Sequence, residues 1–190
     1  MDDEALEAAI TAGLEHWDLM RECVRAEAIK NARELVERKL GALERADFEQ
    51  LFAYFHTDWS DGKTTLTRFA TAFTGALANS MLDELDALNT WTKALWQAEG
   101  DEAVVAMLDG FWATPVRGAG QSYPTMLLHV REPERYWIIT SKGPGAGYRR
   151  LSGRATGRSG AHYLEYVRWI RALRERFEIS THAIDLVLSS

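Results

Sequence analysis

The sequence has one cysteine, four prolines and no apolar run long enough to cross a bilayer, and each shortage closes off a class of protein. Cys23 alone can form neither an internal disulfide nor a thiolate metal cage, which points to a reducing compartment. A spanning helix needs about 20 apolar residues, and the acidic start of the chain lacks the basic and apolar parts of a secretion signal. We therefore expect a soluble, cytoplasmic protein with no membrane partner. Positive charge is also short. Lys and Arg number 22 against 28 Asp and Glu, a net charge of −6, which excludes a uniformly basic coat. What remains is 190 residues, 46% of them apolar, enough for a single helical domain, 1–190, with a real core.

The mean charge hides a division. Residues 1–116 carry 10 Lys/Arg and 22 Asp/Glu, whereas residues 117–190 carry 12 and 6, so an acidic helical part precedes a basic one. Within the basic part, residues 140–160 hold Lys142, Arg149, Arg150, Arg154 and Arg158, six glycines and no acid. Glycine lets backbone amides approach a ligand closely, and arginine offers a planar fork that matches phosphate oxygens. The window reads as a basic loop suited to a polyanion. The alternative is a surface loop whose arginines pair with the acidic part.

Most of the chain has helical period. From Trp17 to Leu43 the set Met20, Val24, Ala28, Ala32, Val36, Leu40 and Leu43 recurs at steps of three and four, with Cys23 beside it as an inert core thiol. A shorter helix covers Ala46–Phe55. Another runs over Leu66–Ala98, with Gly75 and Asn89-Thr90 as candidate breaks, and Asp101 is placed to cap a helix over Glu102–Trp112. Short helices follow at Tyr123–Val130 and after Pro133; Tyr136–Thr140 is the one β-like run. Helices over Ala161–Phe177 and Ser180–Leu188 close the chain. The expected fold is all-α, a compact multi-helix orthogonal bundle.

Between Leu108 and His129 the pattern is helix, tight glycine turn, helix. The second helix would present free amides and a positive dipole end beside Gly118-Ala119-Gly120, with Arg117 and Gln121 flanking the turn, a natural seat for phosphate. Here the chain resembles the helix-hairpin-helix module of DNA-repair glycosylases. Gly118 to Gly120 matches the turn, and Met126-Leu127-Leu128 the helix that follows. Where those enzymes place a catalytic lysine this chain has Gln121, and residues 136–160 offer no aspartate, so the likeness implies a relative that binds without cutting the glycosidic bond. The segments Tyr123–Tyr136 and Ala183–Leu188 also resemble helical regions preceding AAA+ motors in McrB-type, modification-dependent restriction systems. That likeness implies a targeting part that works with an AAA+ ATPase or nuclease subunit, since the chain has no phosphate-binding G-x-x-x-x-G-K-[ST] loop of its own.

Seven tryptophans are more than a core of this size needs. Trp112 and Trp137 flank the turn in sequence and Trp59 lies in a polar segment, so these three are candidates for stacking on bases. The five histidines are scattered, and His56 with Asp58 is too small a set for zinc. Glu132 and Glu134 alternate with arginines as surface pairs do. No catalytic residues, metal or cofactor are expected. The leading expectation is a non-catalytic nucleic-acid recognition domain, DNA favoured over RNA, serving a restriction or phage-defence system. The alternatives are a divergent glycosylase-like base-excision enzyme and a protein-interaction module of a defence complex.

Overall fold

A computed structural model describes residues 3–15, 17–56, 73, 75–140 and 143–189. They form ten helices and no strand among the described residues, so the chain is all-α. In order these are α1 (Asp3–Leu14), α2 (Leu19–Arg38), α3 (Arg45–His56), α4 (Gly75–Leu82), α5 (Leu85–Gln97), α6 (Gly100–Ala113), α7 (Ser122–Arg131), α8 (Pro144–Ser152), α9 (Gly160–Phe177) and α10 (Ile184–Ser189).

Asp18 starts α2 by accepting the Arg21 amide at 2.9 Å, and the helix buries Arg25, Ala28, Ile29, Ala32, Leu35 and Val36. Ala28, Ala32, Val36 and Leu43 of the predicted face are buried, and only its N-terminal part is turned outward. Met20 is 56% exposed and Cys23 is exposed, because the inner position one turn on belongs to a charged residue, Arg25. The expected long helix over 66–98 is divided at Asp83-Glu84, not at Asn89. Asn89 lies inside α5, where its amide brackets the turn after α2, donating to the Leu43 carbonyl and accepting the Leu43 amide, each at 2.8 Å. Residues 57–72 of the expected layout lie outside the described residues. Glu99, not Asp101, sits at the start of α6; Asp101 is in the first turn, and its carboxylate reaches Arg135 at 2.6 Å.

α7 is the central element, with every residue from Ser122 to Val130 buried. Phe111 of α6, Phe52 of α3 and Tyr123 of α7 meet as a ring cluster, each pair of Tyr123 contacts lying between 6.1 and 6.4 Å. Side chains such as Leu88, Leu95 and Phe111 have no exposed area, and burying each contributes about 1.5–3 kcal/mol.

The β-like run Tyr136–Thr140 forms no strand among the described residues; Tyr136–Ile139 of it are buried and bond to side chains of α7 and α9. Side chains meet four of its peptide groups. The Tyr136 carbonyl faces His129 Nδ1 at 2.8 Å, the Trp137 carbonyl accepts the Tyr163 hydroxyl at 3.0 Å, the Ile138 carbonyl accepts the Tyr166 hydroxyl at 3.0 Å, and the Ile139 amide donates to Thr125 Oγ1 at 3.2 Å. Buried peptide groups without such partners would each cost a few kcal/mol. The side chains of α7 and α9 thus do what neighbouring strands do in a sheet.

Candidate nucleic-acid interface

The turn between α6 and α7 contains two glycines with positive φ, +84° at Gly118 and +52° at Gly120. Their surroundings differ. A Cβ on Gly118 would lie 2.6 Å from the Leu77 carbonyl oxygen of α4, so this glycine serves close helix packing, not approach to a ligand. Gly120 is exposed, with nothing within 4 Å of the same position. Arg117 projects from the exposed side of the turn, although its backbone amide faces the Glu84 carboxylate at 3.4 Å. The start of α7 is closed in the same manner, since Ser122, Tyr123 and Pro124 are buried and the Tyr123 amide bonds the Ala119 carbonyl at 3.3 Å. The helix end is therefore a packed junction, and the outward chemistry of the turn comes from Arg117, Gly120 and Gln121.

The Gly/Arg window is not one loop. Pro144–Ser152 forms α8, which ends on Gly153 at φ +70° with the Gly153 amide on the Arg149 carbonyl at 3.0 Å. Glycine is a poor helix former, but here two glycines admit neighbouring backbone. Cβ atoms at Gly145 and Gly147 would fall 2.3 Å from the Thr140 carbonyl and 1.8 Å from the Leu188 carbonyl. Tyr148 and Leu151 anchor the helix inward, while Arg149 and Arg150 in its last turn are exposed. Arg154 and Arg158 are exposed on the following connection. Lys142 lies outside the described residues.

Three contacts fix the end of that connection. Gln121 Nε2 donates to the Gly157 carbonyl at 3.0 Å; a Cβ on Gly157 would meet the His162 ring at 2.2 Å; and Asp109 of α6 accepts the Gly160 amide at 2.7 Å. Arg158 is thus held between two anchored glycines, and the Gln121 bond joins the glycine turn to the arginine-bearing segment. Among the described residues no carboxylate lies within ion-pair distance of Arg117, Arg149, Arg154 or Arg158. Elsewhere arginines are matched: Arg45 with Asp83 at 2.9 Å, Arg135 with Asp101, and Arg174 with Glu134 at 2.8 Å.

Of the proposed stacking residues, Trp137 is excluded. It is 1% exposed, its indole N–H donates to Thr181 Oγ1 at 2.9 Å, and the Arg174 guanidinium covers its ring at 5.2 Å. A core position with a satisfied indole has no face left for a base. Trp112 is half-buried near the end of α6, and Trp59 lies outside the described residues. Trp169 is a half-buried indole that sequence reading did not single out; it packs edge-on against Tyr148, at 5.3 Å and 70°, where α9 meets α8. The signal for it was its place in the apolar period of α9, but which part stays outside depends on α8.

The chain matches no known family model, no curated protein and no solved structure.

Proposed function

We propose that this is a non-catalytic domain that grips the phosphate backbone of nucleic acid, DNA in preference to RNA, with Arg149, Arg150, Arg154 and Arg158, and with Arg117 at the edge of the same region. The observation that carries the reading is the Gln121-to-Gly157 hydrogen bond, which ties the glycine turn to the arginine segment. Among the described residues no carboxylate lies within ion-pair distance of Arg117, Arg149, Arg154 or Arg158, which adds to it, because an unmatched guanidinium is free to take a phosphate fork. Phosphate contacts position a protein on a duplex and give no sequence preference by themselves. In this reading the likeness to McrB-type regions makes the domain the targeting part of a restriction or phage-defence system, acting beside an AAA+ ATPase or nuclease.

Fluorescence anisotropy with a labelled duplex across a salt series tests the grip. Each neutralised phosphate contributes about 0.9 to the slope of log affinity against log salt, so Arg149, Arg150, Arg154 and Arg158 predict a slope of about −3.6, and Arg117 would steepen it to about −4.5. A flat response, or absence of binding at low salt, overturns the reading. Equal treatment of a single strand and an RNA hairpin decides the preference for DNA.

A further inference from the structure

The first turns of α2 carry a feature unrelated to the basic region. Leu19 is 78% exposed and Met20 56%, and Cys23, one turn on, is exposed as well. Isolated apolar side chains on a surface are ordinary. Here three lie on one continuous stripe, which runs on through exposed Glu27, Lys30 and Glu34 at steps of three and four.

The stripe is held rigidly from behind. Asp18 caps the helix, the Trp17 indole donates to Glu22 at 3.1 Å, and Arg25, on the opposite face, is wholly buried against α10. This end of α2 is pinned, so its apolar side chains project from a fixed backbone. A surface on such a helix has little backbone freedom left to lose on binding.

Charge decides what fits. Glu15, Asp18 and Glu27 are exposed around the apolar turns, and Arg21, the nearest cation, is committed to Asp18. A symmetric second copy would set these carboxylates against themselves. An anionic bilayer would be repelled by them. We infer that the Leu19–Met20–Cys23 face of α2 docks an amphipathic helix of a partner protein, one that lays an apolar stripe on Leu19 and Met20 and flanks it with lysine or arginine reaching Glu15 and Glu27. Helix against helix, read at i, i+3 and i+4, is a recurring recognition mode that suits this spacing.

The single cysteine allows a local test. The full chain is labelled at Cys23 with an environment-sensitive fluorophore and titrated with a helical Leu/Lys peptide of about 14 residues, its leucines along one face. A peptide with every lysine replaced by glutamate is the control. The expected result is a blue shift with the Leu/Lys peptide only, with affinity about tenfold lower or worse in Leu19→Gln/Met20→Gln and weakened in Glu27→Lys. Both apolar residues are exposed, so circular dichroism of the double variant should match the parent. No shift, an equal shift with the Leu/Glu peptide, or a shift that survives the double variant overturns the proposal. Light scattering that shows a dimer lost in the double variant overturns it too, in favour of a second copy.

Discussion

Arg25 of α2 and Asp185 of α10 form an ion pair across 160 residues of sequence, and the same Arg25 nitrogen also donates to the His182 carbonyl. The Trp17 ring covers the guanidinium at 5.2 Å. Arg25 is wholly buried, so removing its partner would leave a charge in the core. Asp185→Ala should destabilise by about 3–5 kcal/mol, whereas Arg25→Met/Asp185→Leu, which removes both charges, should lose much less. Urea denaturation of the three proteins checks the order.

Acid should unfold the protein through its buried histidines. Burial lowers His129 to about 3, against its ordinary 6.5, and burial lowers His182 as well. Below 6.5 the unfolded chain takes up the His129 proton and the folded one does not, so stability is lost as pH falls from about 6.5 towards 3. The loss from His129 alone is of order 4 kcal/mol at the bottom of that window. Asp185 works the other way. Burial raises its pKa, so its contribution is present at low pH and lost as pH rises through its folded value. The His129 contribution predicts denaturation midpoints that fall as pH is lowered from 6.5 towards 4.5. In His129→Gln the fall should be shallower.

Gly147→Ala should be costly although the residue is helical and its change is one methyl group. The added Cβ would fall on the Leu188 carbonyl, which is backbone and cannot rotate away. Overpacking of this sort costs about 1–3 kcal/mol, and a thermal melt should show it, together with loosening of α10 in hydrogen exchange.

The phosphate grip and the core tryptophan separate cleanly by mutation. Arg154→Gln and Arg158→Gln should each weaken duplex binding and lower the salt slope by about 1, with stability unchanged. Trp137→Phe should do the reverse. It removes a buried donor from Thr181, costs about 1–3 kcal/mol of stability, and leaves the salt response of the folded protein as it was.

Much of the fold is legible in the sequence because apolar residues at steps of three and four need a core to face. Leu88, Leu95, Leu108, Phe111, Ile170 and Leu173 are all buried where that rule puts them. The rule misplaces the N-terminal half of α2, since the partner that makes Arg25 an interior residue comes from the far end of the chain. α8 is hidden for a related reason. Pro144-Gly145-Ala146-Gly147 has the composition of a loop, and the helix exists because α10 packs on bare glycine backbone. In the candidate site the cations are visible by composition, but the Gln121-to-Gly157 bond that draws two segments together has no local signature. Trp137 fails as a site residue because nearness in sequence to the turn says nothing of which way an extended segment faces.

Side chains from α7 and α9 clothe the backbone of Tyr136–Ile139, and this bears on solubility. Tyr-Trp-Ile-Ile is an uncharged, strongly β-prone tetrad, the kind of sequence that pairs with copies of itself when uncovered. Among the described residues no strand guards it; Thr125, Tyr163 and Tyr166 do. Parting of α7 from α9 would therefore unmask an adhesive edge, and the two tyrosine hydroxyls stand as its gatekeepers.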